Sequence, residues 1–438
     1  MERESLYDEI HGCGGIIEET PAMVAKCLEE MRSAIHQIPQ QNRKAHNRAV
    51  FLRPSLESDD RLHLMFLRAQ KFNATNAAYH MCRSFEHKLK LFGEDKLVKS
   101  ITLDDLGETE RVTHAYSAAM QMLPTSDSTG RGVFLVNLPS LKLEEDWYSL
   151  ARYTWYHIYS AAEGNEQLQK RGVVQVMTYF GGQDVSLQQV LEFFMRTSEF
   201  AGDWPIRLCG HHYCYDQVSF HRACRTLLAF RGTNFRLRNR THFGSKMETQ
   251  YNLMTFGINL RDYLDPGCGV LSRRSIDIYL QERRLKEAAS RHRESEQLAS
   301  SPGTVLYPNA KDVLMGRGRP YVTWPGNIRL RQCVIPRLDR YVQMVDTYNG
   351  KTALALEAVN EIKLEGGRFL KRNPGYWEIV DDQKAREKVS QIFRAEVRDR
   401  LGVERLTESS SSVVFTDVVD SNASIAKKRP RLSGTHHV

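Results

Sequence analysis

The stretch that decides the fold is DDRLHLMFLRAQKFN, residues Asp59–Asn73. Its apolar residues recur at the three- and four-residue spacing of one helix face, at Leu62, Met65, Phe66 and Ala69. Ser58 precedes the two acids and is a suitable N-cap, and Lys71, Phe72 and Asn73 end the pattern. The segment therefore predicts an amphipathic helix, followed by a second helix from about Ala74 to Phe92.

Further along the chain, short apolar runs alternate with helical patterns. The runs lie at 130–138, 171–180, 208–215 and 240–245. Strands that alternate with helices indicate a mostly parallel sheet with crossover helices. The predicted fold class is therefore α/β, with an N-terminal helical bundle before this sheet and a small α+β domain after it.

Four short motifs accompany these elements in a fixed order. They are Gly130-Arg131-Gly132-Val133, Trp204-Pro205-Ile206-Arg207-Leu208, Phe243-Gly244-Ser245 and Tyr263-Leu264-Asp265-Pro266. Together with the opening helix, they resemble the CRAL-TRIO lipid-binding family over about 44–282. The resemblance implies a lipid pocket on one face of the sheet, closed by a mobile gate helix near 218–230, and one lipid molecule as the ligand.

The resemblance and the strand pattern give two sets of candidate residues. Candidates for the pocket and gate are Phe134, Val136, Val174, Val176, Tyr213, Tyr215, Phe220, Cys224, Leu227 and Leu228. Candidates for an anionic surface or head group are Lys71, Arg222, Arg225, Arg236, Arg238 and Arg240. Where relatives that hold phosphatidylinositol have a second arginine in the opening helix, this chain has Gln70. Each apolar candidate is alternatively an ordinary core residue.

Positive charge is concentrated beside the expected gate. Between Asp216 and Glu248 the sequence has seven basic residues and no acidic residue. Such a stretch favours docking on an anionic membrane, at about 1 kcal/mol per basic residue near the surface. The alternative is a solvated basic face.

The C-terminal third carries a second signature. It consists of Asn309, Asp312, Val313, Leu314, Gly316, Arg317 and Gly318, and the segment 308–401 resembles a domain of unknown function found in certain algae. Its basic residues predict contacts to nucleic-acid phosphates or to a protein, with Lys311, Arg317, Arg319, Arg329 and Arg331 as candidates. The alternative is a fold-specific turn beside a solvated helix face.

These patterns divide the chain into six regions. We expect a flexible arm with one helix at 1–40, the helical region at 42–110, the lipid-binding domain at 112–282, a linker at 283–304, the small basic domain at 305–401 and a disordered tail at 402–438. The tail contains a basic nuclear-import pattern, KKRPR, with Lys427, Lys428, Arg429 and Arg431 as the candidate residues.

The composition is that of an ordinary globular protein, since the 438 residues are 41% hydrophobic and 26% charged. The net charge of +8 permits an anionic partner, either nucleic acid or a lipid surface. Eight cysteines without CxxC pairs indicate a reducing compartment. The N-terminus is no signal peptide, and the sequence has no apolar run long enough to span a membrane.

No catalytic nucleophile or cofactor is expected. A histidine and cysteine group at 211–224 has the residue types of a metal site, but strand alternation points His211 away from His212 and Cys214, so no metal site is predicted. The sequence thus predicts a non-enzymatic lipid-binding protein for lipid transfer or sensing. We expect it in the cytoplasm with peripheral membrane contact, and the nucleus is an alternative location. The alternative functions are a nuclear regulator that uses the pocket as a sensor, and a structural adaptor.

Overall fold

The computed structural model describes residues 16–108, 120–138, 147–181, 188, 192, 203–229, 238–261, 263–264, 272–299, 303–344 and 348–411. Contacts within the chain divide it into two compact units. The first unit runs to Ala310 and also takes in Leu370–Ile379, whereas the second comprises Lys311–Phe369 and the residues from Val380 onward.

From residue 16 onward, the described part of the first unit begins with the α-helices α1 (Pro21–Gln37), α2 (Lys44–Leu52), α3 (Asp60–Ala69) and α4 (Ala74–Phe92). Helix α3 is the predicted amphipathic helix. Its N-cap is Asp59 rather than Ser58, because the Asp59 carboxylate accepts a hydrogen bond from the Leu62 N–H at 3.1 Å. Lys71 and Phe72 adopt φ of 50° and 58°, and these left-handed residues turn the chain from α3 into α4.

A five-stranded sheet follows, and its strand order β1-β2-β3-β4-β5 is also the chain order. The strands are β1 (Met120–Ser126), β2 (Gly132–Asn137), β3 (Val173–Tyr179), β4 (Leu208–Tyr215) and β5 (Asn239–Phe243). Strand β1 pairs antiparallel with β2, and the remaining neighbours are parallel. The predicted fold class is confirmed. Strand β1 is not apparent from the sequence, because Pro124 and the polar residues after it interrupt an apolar run.

Helices connect and flank the strands. Between β2 and β3 lie α5 (Trp147–Ala162) and α6 (Glu166–Arg171), and between β4 and β5 lies α7 (Val218–Ala229). Helix α8 (Lys246–Thr255) follows β5 and begins with a capping box between Ser245 and Glu248. The motif Phe243-Gly244-Ser245 thus marks a strand end, a turn and a helix start.

A long helix, α9 (Arg273–Ala299), closes this part of the first unit. The buried Glu287 carboxylate accepts hydrogen bonds from the Tyr156 hydroxyl at 2.6 Å and from the Leu103 N–H at 3.2 Å. The expected linker 283–304 is helical as far as Ala299, and Glu287 near its start is held by the core of the first unit.

A hairpin from late in the chain belongs to the first unit. Strand β9 (Tyr376–Ile379) pairs antiparallel with both β6 (Thr304–Val305) and β8 (Phe369–Asn373). Trp377 is fully buried, and its Nε1–H donates to the Leu52 carbonyl at 2.8 Å. Its ring meets Phe51 edge-on at a centroid distance of 5.7 Å. The sequence places this hairpin in the 305–401 domain, whereas its Trp377 packs on α2.

The second unit has the small α+β character expected from the sequence. It contains β7 (Val313–Met315), α10 (Arg319–Val322), α11 (Pro325–Val334), α12 (Leu338–Gln343), α13 (Tyr348–Leu364) and α14 (Asp382–Ser411). A short 3₁₀ turn at Ile335–Arg337 separates α11 from α12, as Pro336 predicts. Residues 402–411 are helical rather than disordered, and the tail beyond Ser411 lies outside the described residues.

Among the described residues, none of the helices combines the length and the apolar composition that crossing a membrane requires.

Candidate functional site

The pairing of the parallel strands defines two faces of the sheet. On one face, which we call the lid face, the register aligns Phe134 with Gln175, Val136 with Met177 and Tyr213, and Tyr179 with Tyr215. Side chains of a strand alternate between its two sides, so these residues point the same way. The lid face includes Phe134, Val136, Gln175, Met177, Tyr179, His211, Tyr213, Tyr215, Asn239, Thr241 and Phe243.

Helix α7 covers this face where β3 and β4 end. The Phe220 ring stacks on Tyr179 at a centroid distance of 4.8 Å and meets Tyr215 at 5.1 Å. Cys224 is buried one turn further on, whereas Arg222 and Arg225 are exposed. The helix is thus amphipathic, with aromatic and small side chains towards the sheet and arginines towards solvent.

The predicted pocket residues do not all share that face. Val174 and Val176 lie on the opposite face, where they form a cluster with Leu253 of α8 and Ile276 of α9. A single cavity cannot be lined by both groups, because adjacent residues of a strand point to opposite sides. Leu228 is half-buried, and the side chain of Leu227 lies outside the described residues.

The lid face carries polar groups that the pocket prediction omits. The Tyr213 hydroxyl donates to Asn239 Oδ1 at 3.1 Å, and His211 lies beside Tyr213 with ring centroids 6.0 Å apart. Burial lowers the pKa of His211 to about 4, so its imidazole is neutral at neutral pH. A signal for these groups was present in the sequence: residues 211, 213 and 215 alternate with 212 and 214 along one strand.

Three basic residues from separate segments lie near the edge where β4 and β5 begin. Lys71 follows α3, Arg207 precedes β4 and Arg238 precedes β5. Partial burial, and then the guanidinium charges of Arg207 and Arg238, hold the pKa of Lys71 below its usual value. Arg207 is itself buried, and its guanidinium donates to the carbonyls of Lys170 and Arg171 at 3.4 Å. We call this group the basic cluster. Arg207 was missed as a candidate because it was used only as part of a motif that marks the family resemblance.

The remaining head-group candidates are placed elsewhere. Gln70 turns inward, where its Nε2 atom lies 2.9 Å from His80 Nδ1. Arg240 pairs in register with His212, which places it on the face opposite the lid, and its guanidinium lies 5.8 Å from the Phe256 ring centroid. Arg236 lies outside the described residues.

The opposite face holds a small recess at the C-terminal ends of the strands. Its volume is about 10 Å³, which suits about one water molecule. The lining residues include Thr178, Cys214, Lys246, Gln250 and Leu264. An acyl chain does not fit in a recess of this size.

One histidine of the group that was considered as a metal site, His212, forms a buried pair with His242. His212 Nδ1 lies 2.9 Å from His242 Nε2, and Cys214 shares their face through its register with His242. Burial and the charge of its neighbours lower the pKa of His212 to about 2, and burial lowers that of His242 to about 4. Across the described parts of the chain, three or more metal-ligating side chains nowhere gather in metal-binding geometry.

In the second unit, acidic residues engage several of the predicted phosphate contacts. Arg329 forms ion pairs with Glu361 and Glu365, and Arg331 lies 3.5 Å from Glu396. The Lys311 ammonium donates to the Glu365 carbonyl at 3.1 Å. Arg317, in the loop before α10, and Arg319, the first residue of α10, are both exposed. Ion pairing of this kind reduces the charge that α11 offers to a nucleic acid.

Residues 312–395 match a known family. The matching family model is described as a domain of unknown function, DUF6824. The chain is also similar to the crystal structure of Sfh5, with 11% identity and a TM-score of 0.32, over 62% of this chain and 100% of that one. No curated protein matches the chain. The family match agrees with the C-terminal signature, and a structural similarity of that size carries no functional conclusion.

Proposed function

We propose that the first unit binds one lipid molecule between the lid face of the sheet and helix α7. The observation that supports this best is the packing of Phe220 on Tyr179 and Tyr215, which holds an amphipathic helix over a buried sheet face by a few aromatic contacts. The order of the CRAL-TRIO-like motifs supports it independently. Binding needs no covalent chemistry, because burial of an acyl chain stabilises a complex by about 0.8 kcal/mol per methylene.

The basic cluster favours a lipid with an anionic head group. Lys71, Arg207 and Arg238 bring positive charge to the edge of the sheet where β4 and β5 begin. A phosphate there gains charge-assisted hydrogen bonds, which are about twice as strong as neutral ones. In this account the acyl chains lie against the lid face and the head group lies near the basic cluster.

The lid helix provides the first testable consequence. Phe220→Ala removes two ring contacts, each of about 0.5–1.5 kcal/mol beyond area burial, and loosens the lid. We expect a fluorescent phosphatidylcholine loaded into the full chain to leave for unlabelled vesicles about tenfold faster from this variant. Stopped-flow fluorescence measures the rate.

A variant on the other face separates lid opening from general loss of stability. Leu253→Ala truncates an equally buried side chain of α8, which packs on the face opposite the lid. It is expected to lower the melting temperature while leaving the release rate unchanged. Equal acceleration by both variants, or failure of the protein to take up any phospholipid, contradicts the proposal.

The exposed arginines of the lid predict docking on anionic membranes. Reversing both charges in Arg222→Glu/Arg225→Glu removes attraction of about 1 kcal/mol per residue and adds repulsion. We expect binding to vesicles of phosphatidylcholine and phosphatidylserine to weaken at least about thirtyfold at low salt, and the difference to shrink as salt is added. Vesicle flotation measures the bound fraction.

The matched control reverses two exposed basic residues of α9, in Arg284→Glu/Lys286→Glu. Its net charge equals that of the lid variant, so a purely non-specific charge effect weakens both equally. Equal weakening shows that the position of the arginines on the lid is irrelevant, which contradicts docking through α7.

A further inference from the structure

Two arginines of the second unit are exposed where β7 leads into α10. We call the segment Gly316–Arg319 the arginine loop, and its exposed side chains are those of Arg317 and Arg319. Within the described part of the chain, neither guanidinium has an ion pair or a hydrogen bond. Six other arginines of this unit pair with acids, and they are Arg329, Arg331, Arg337, Arg340, Arg368 and Arg400.

The conformation of the arginine loop is fixed by contacts that involve neither exposed guanidinium. Gly316 packs against Tyr321, and a Cβ atom at that glycine would lie 2.2 Å from the tyrosine ring. Gly318 has a φ of 95°, which glycine adopts without strain. The Gly316 carbonyl accepts a hydrogen bond from the Lys388 ammonium of α14 at 2.9 Å. The fold therefore accounts for both glycines, and it gives the side chain of Arg317 no structural role.

Positive charge converges on this loop from the helices beside it. Lys388 is half-buried, and its hydrogen bond to Gly316 places it next to the residue that precedes Arg317. Partial burial, and then the charges of Arg317 and Arg331, hold the pKa of Lys388 below its usual value. Two acids of α14 oppose this charge in part, since Glu396 lies 3.5 Å from Arg331 and Glu387 adjoins Lys388 in the sequence. Like charges held together repel one another, and a bound anion relieves that repulsion.

We infer that the arginine loop and Lys388 bind the phosphates of a nucleic acid. Arginine donates to phosphate oxygens through a planar fork of N–H groups, and lysine binds phosphate as a point charge. Because Arg317 and Arg319 are exposed, the surface is open, which suits a polymer with one charge per about 1.7 Å of duplex axis better than a single small anion. The contacts are to the backbone, so they position the unit without reading base sequence. The inference is independent of the lipid proposed for the first unit.

The test removes both exposed charges of the loop in the full chain. Arg317→Gln/Arg319→Gln deletes two cations that lack a partner among the described residues, so the fold is expected to persist. Fluorescence anisotropy with a short labelled DNA duplex measures the affinity at several salt concentrations. The slope of log affinity against log salt is expected to become shallower by about 1.8, or about 0.9 for each lost phosphate contact. The affinity at about 50 mM salt is expected to fall at least about tenfold.

The matched control is Arg340→Gln/Arg400→Gln, which removes the same charge from arginines that pair with Glu357 and Asp339. We expect it to keep the wild-type slope and affinity. Both variants retain every other basic residue of the chain, including KKRPR in the tail, so binding through those residues affects both equally. Thermal melting checks that both variants remain folded.

Three results overturn the inference. The first is an equal fall in affinity for the loop variant and the control, which is a non-specific effect of net charge. The second is failure of the wild type to bind either the duplex or a single-stranded RNA of equal length at low salt. The third is tighter binding of a phosphoserine peptide than of both nucleic acids, which assigns the arginine loop to a phosphorylated protein.

Discussion

Lowering the pH from about 7 to about 5 is expected to destabilise the first unit by several kcal/mol, because it contains buried histidines that fold in the neutral state. Burial lowers the pKa of His46, His80 and His242 to about 4, and that of His212 to about 2. In the unfolded chain the same side chains titrate near about 6.5. Chemical denaturation across this pH range measures the loss.

The direction of this change in stability with pH follows from proton binding. Below about pH 6.5 the unfolded state binds these protons and the folded state does not, so the free energy of unfolding falls as the pH falls. Each such histidine contributes about 1.4 kcal/mol per pH unit until its folded pKa is reached, or about 2 kcal/mol at pH 5. Stability from these groups is complete above about pH 6.5 and is lost progressively down to about pH 4 for His46, His80 and His242, and further for His212.

A single substitution checks the cause. His242→Gln keeps a hydrogen-bonding side chain next to His212 and removes one titrating group. The slope of unfolding free energy against pH is expected to fall by about one proton in this variant. A free energy of unfolding that is constant between about pH 7 and 5 in the wild type contradicts the burial of neutral histidines.

Asp127→Ala is expected to cost about 3–5 kcal/mol of stability, because it leaves a buried guanidinium without its counter-charge. Arg131 is 1% exposed, and its guanidinium donates to the Asp127 carboxylate at 2.6 and 2.7 Å in the turn between β1 and β2. The other carboxylate oxygen accepts hydrogen bonds from the Arg131 and Thr129 N–H groups at 2.9 Å. Urea denaturation measures the change.

Asp127→Asn is the matched control for that turn. The asparagine keeps an oxygen that accepts from the backbone N–H groups but lacks the negative charge. Its free energy of unfolding is therefore expected to lie between those of the wild type and Asp127→Ala. If the alanine variant unfolds at the same urea concentration as the wild type, the buried pair does not stabilise the turn.

Local sequence patterns predicted the parts of the fold that depend on local chemistry. The apolar spacing of Asp59–Asn73 gives α3, and the apolar runs give β2 to β5. The N-cap moved by one residue because both Ser58 and Asp59 have suitable side chains, and backbone geometry decides between them.

Contacts between distant residues were beyond those patterns. Nothing local in the sequence shows that Trp377 reaches the Leu52 carbonyl, or that Arg329 lies beside Glu365. The grouping of the candidate site residues depends on such contacts too. Tyr213 and Tyr215 lie on the lid face with Phe220 of α7 packed against it, whereas Val174 and Val176 lie on the opposite face. Which parity of a strand faces the lid depends on the register with its neighbours, which a single strand does not contain.

The most direct test of the lipid-binding account is the identity of the molecule that the full chain carries when purified from cells. Organic extraction followed by mass spectrometry is expected to recover an acyl lipid, in an amount approaching one molecule per chain, with an anionic head group preferred over a neutral one. Phe220→Ala is expected to recover less, because the looser lid releases lipid during purification. Recovery of no lipid from the wild type, together with failure to take up phospholipid from vesicles, contradicts the account.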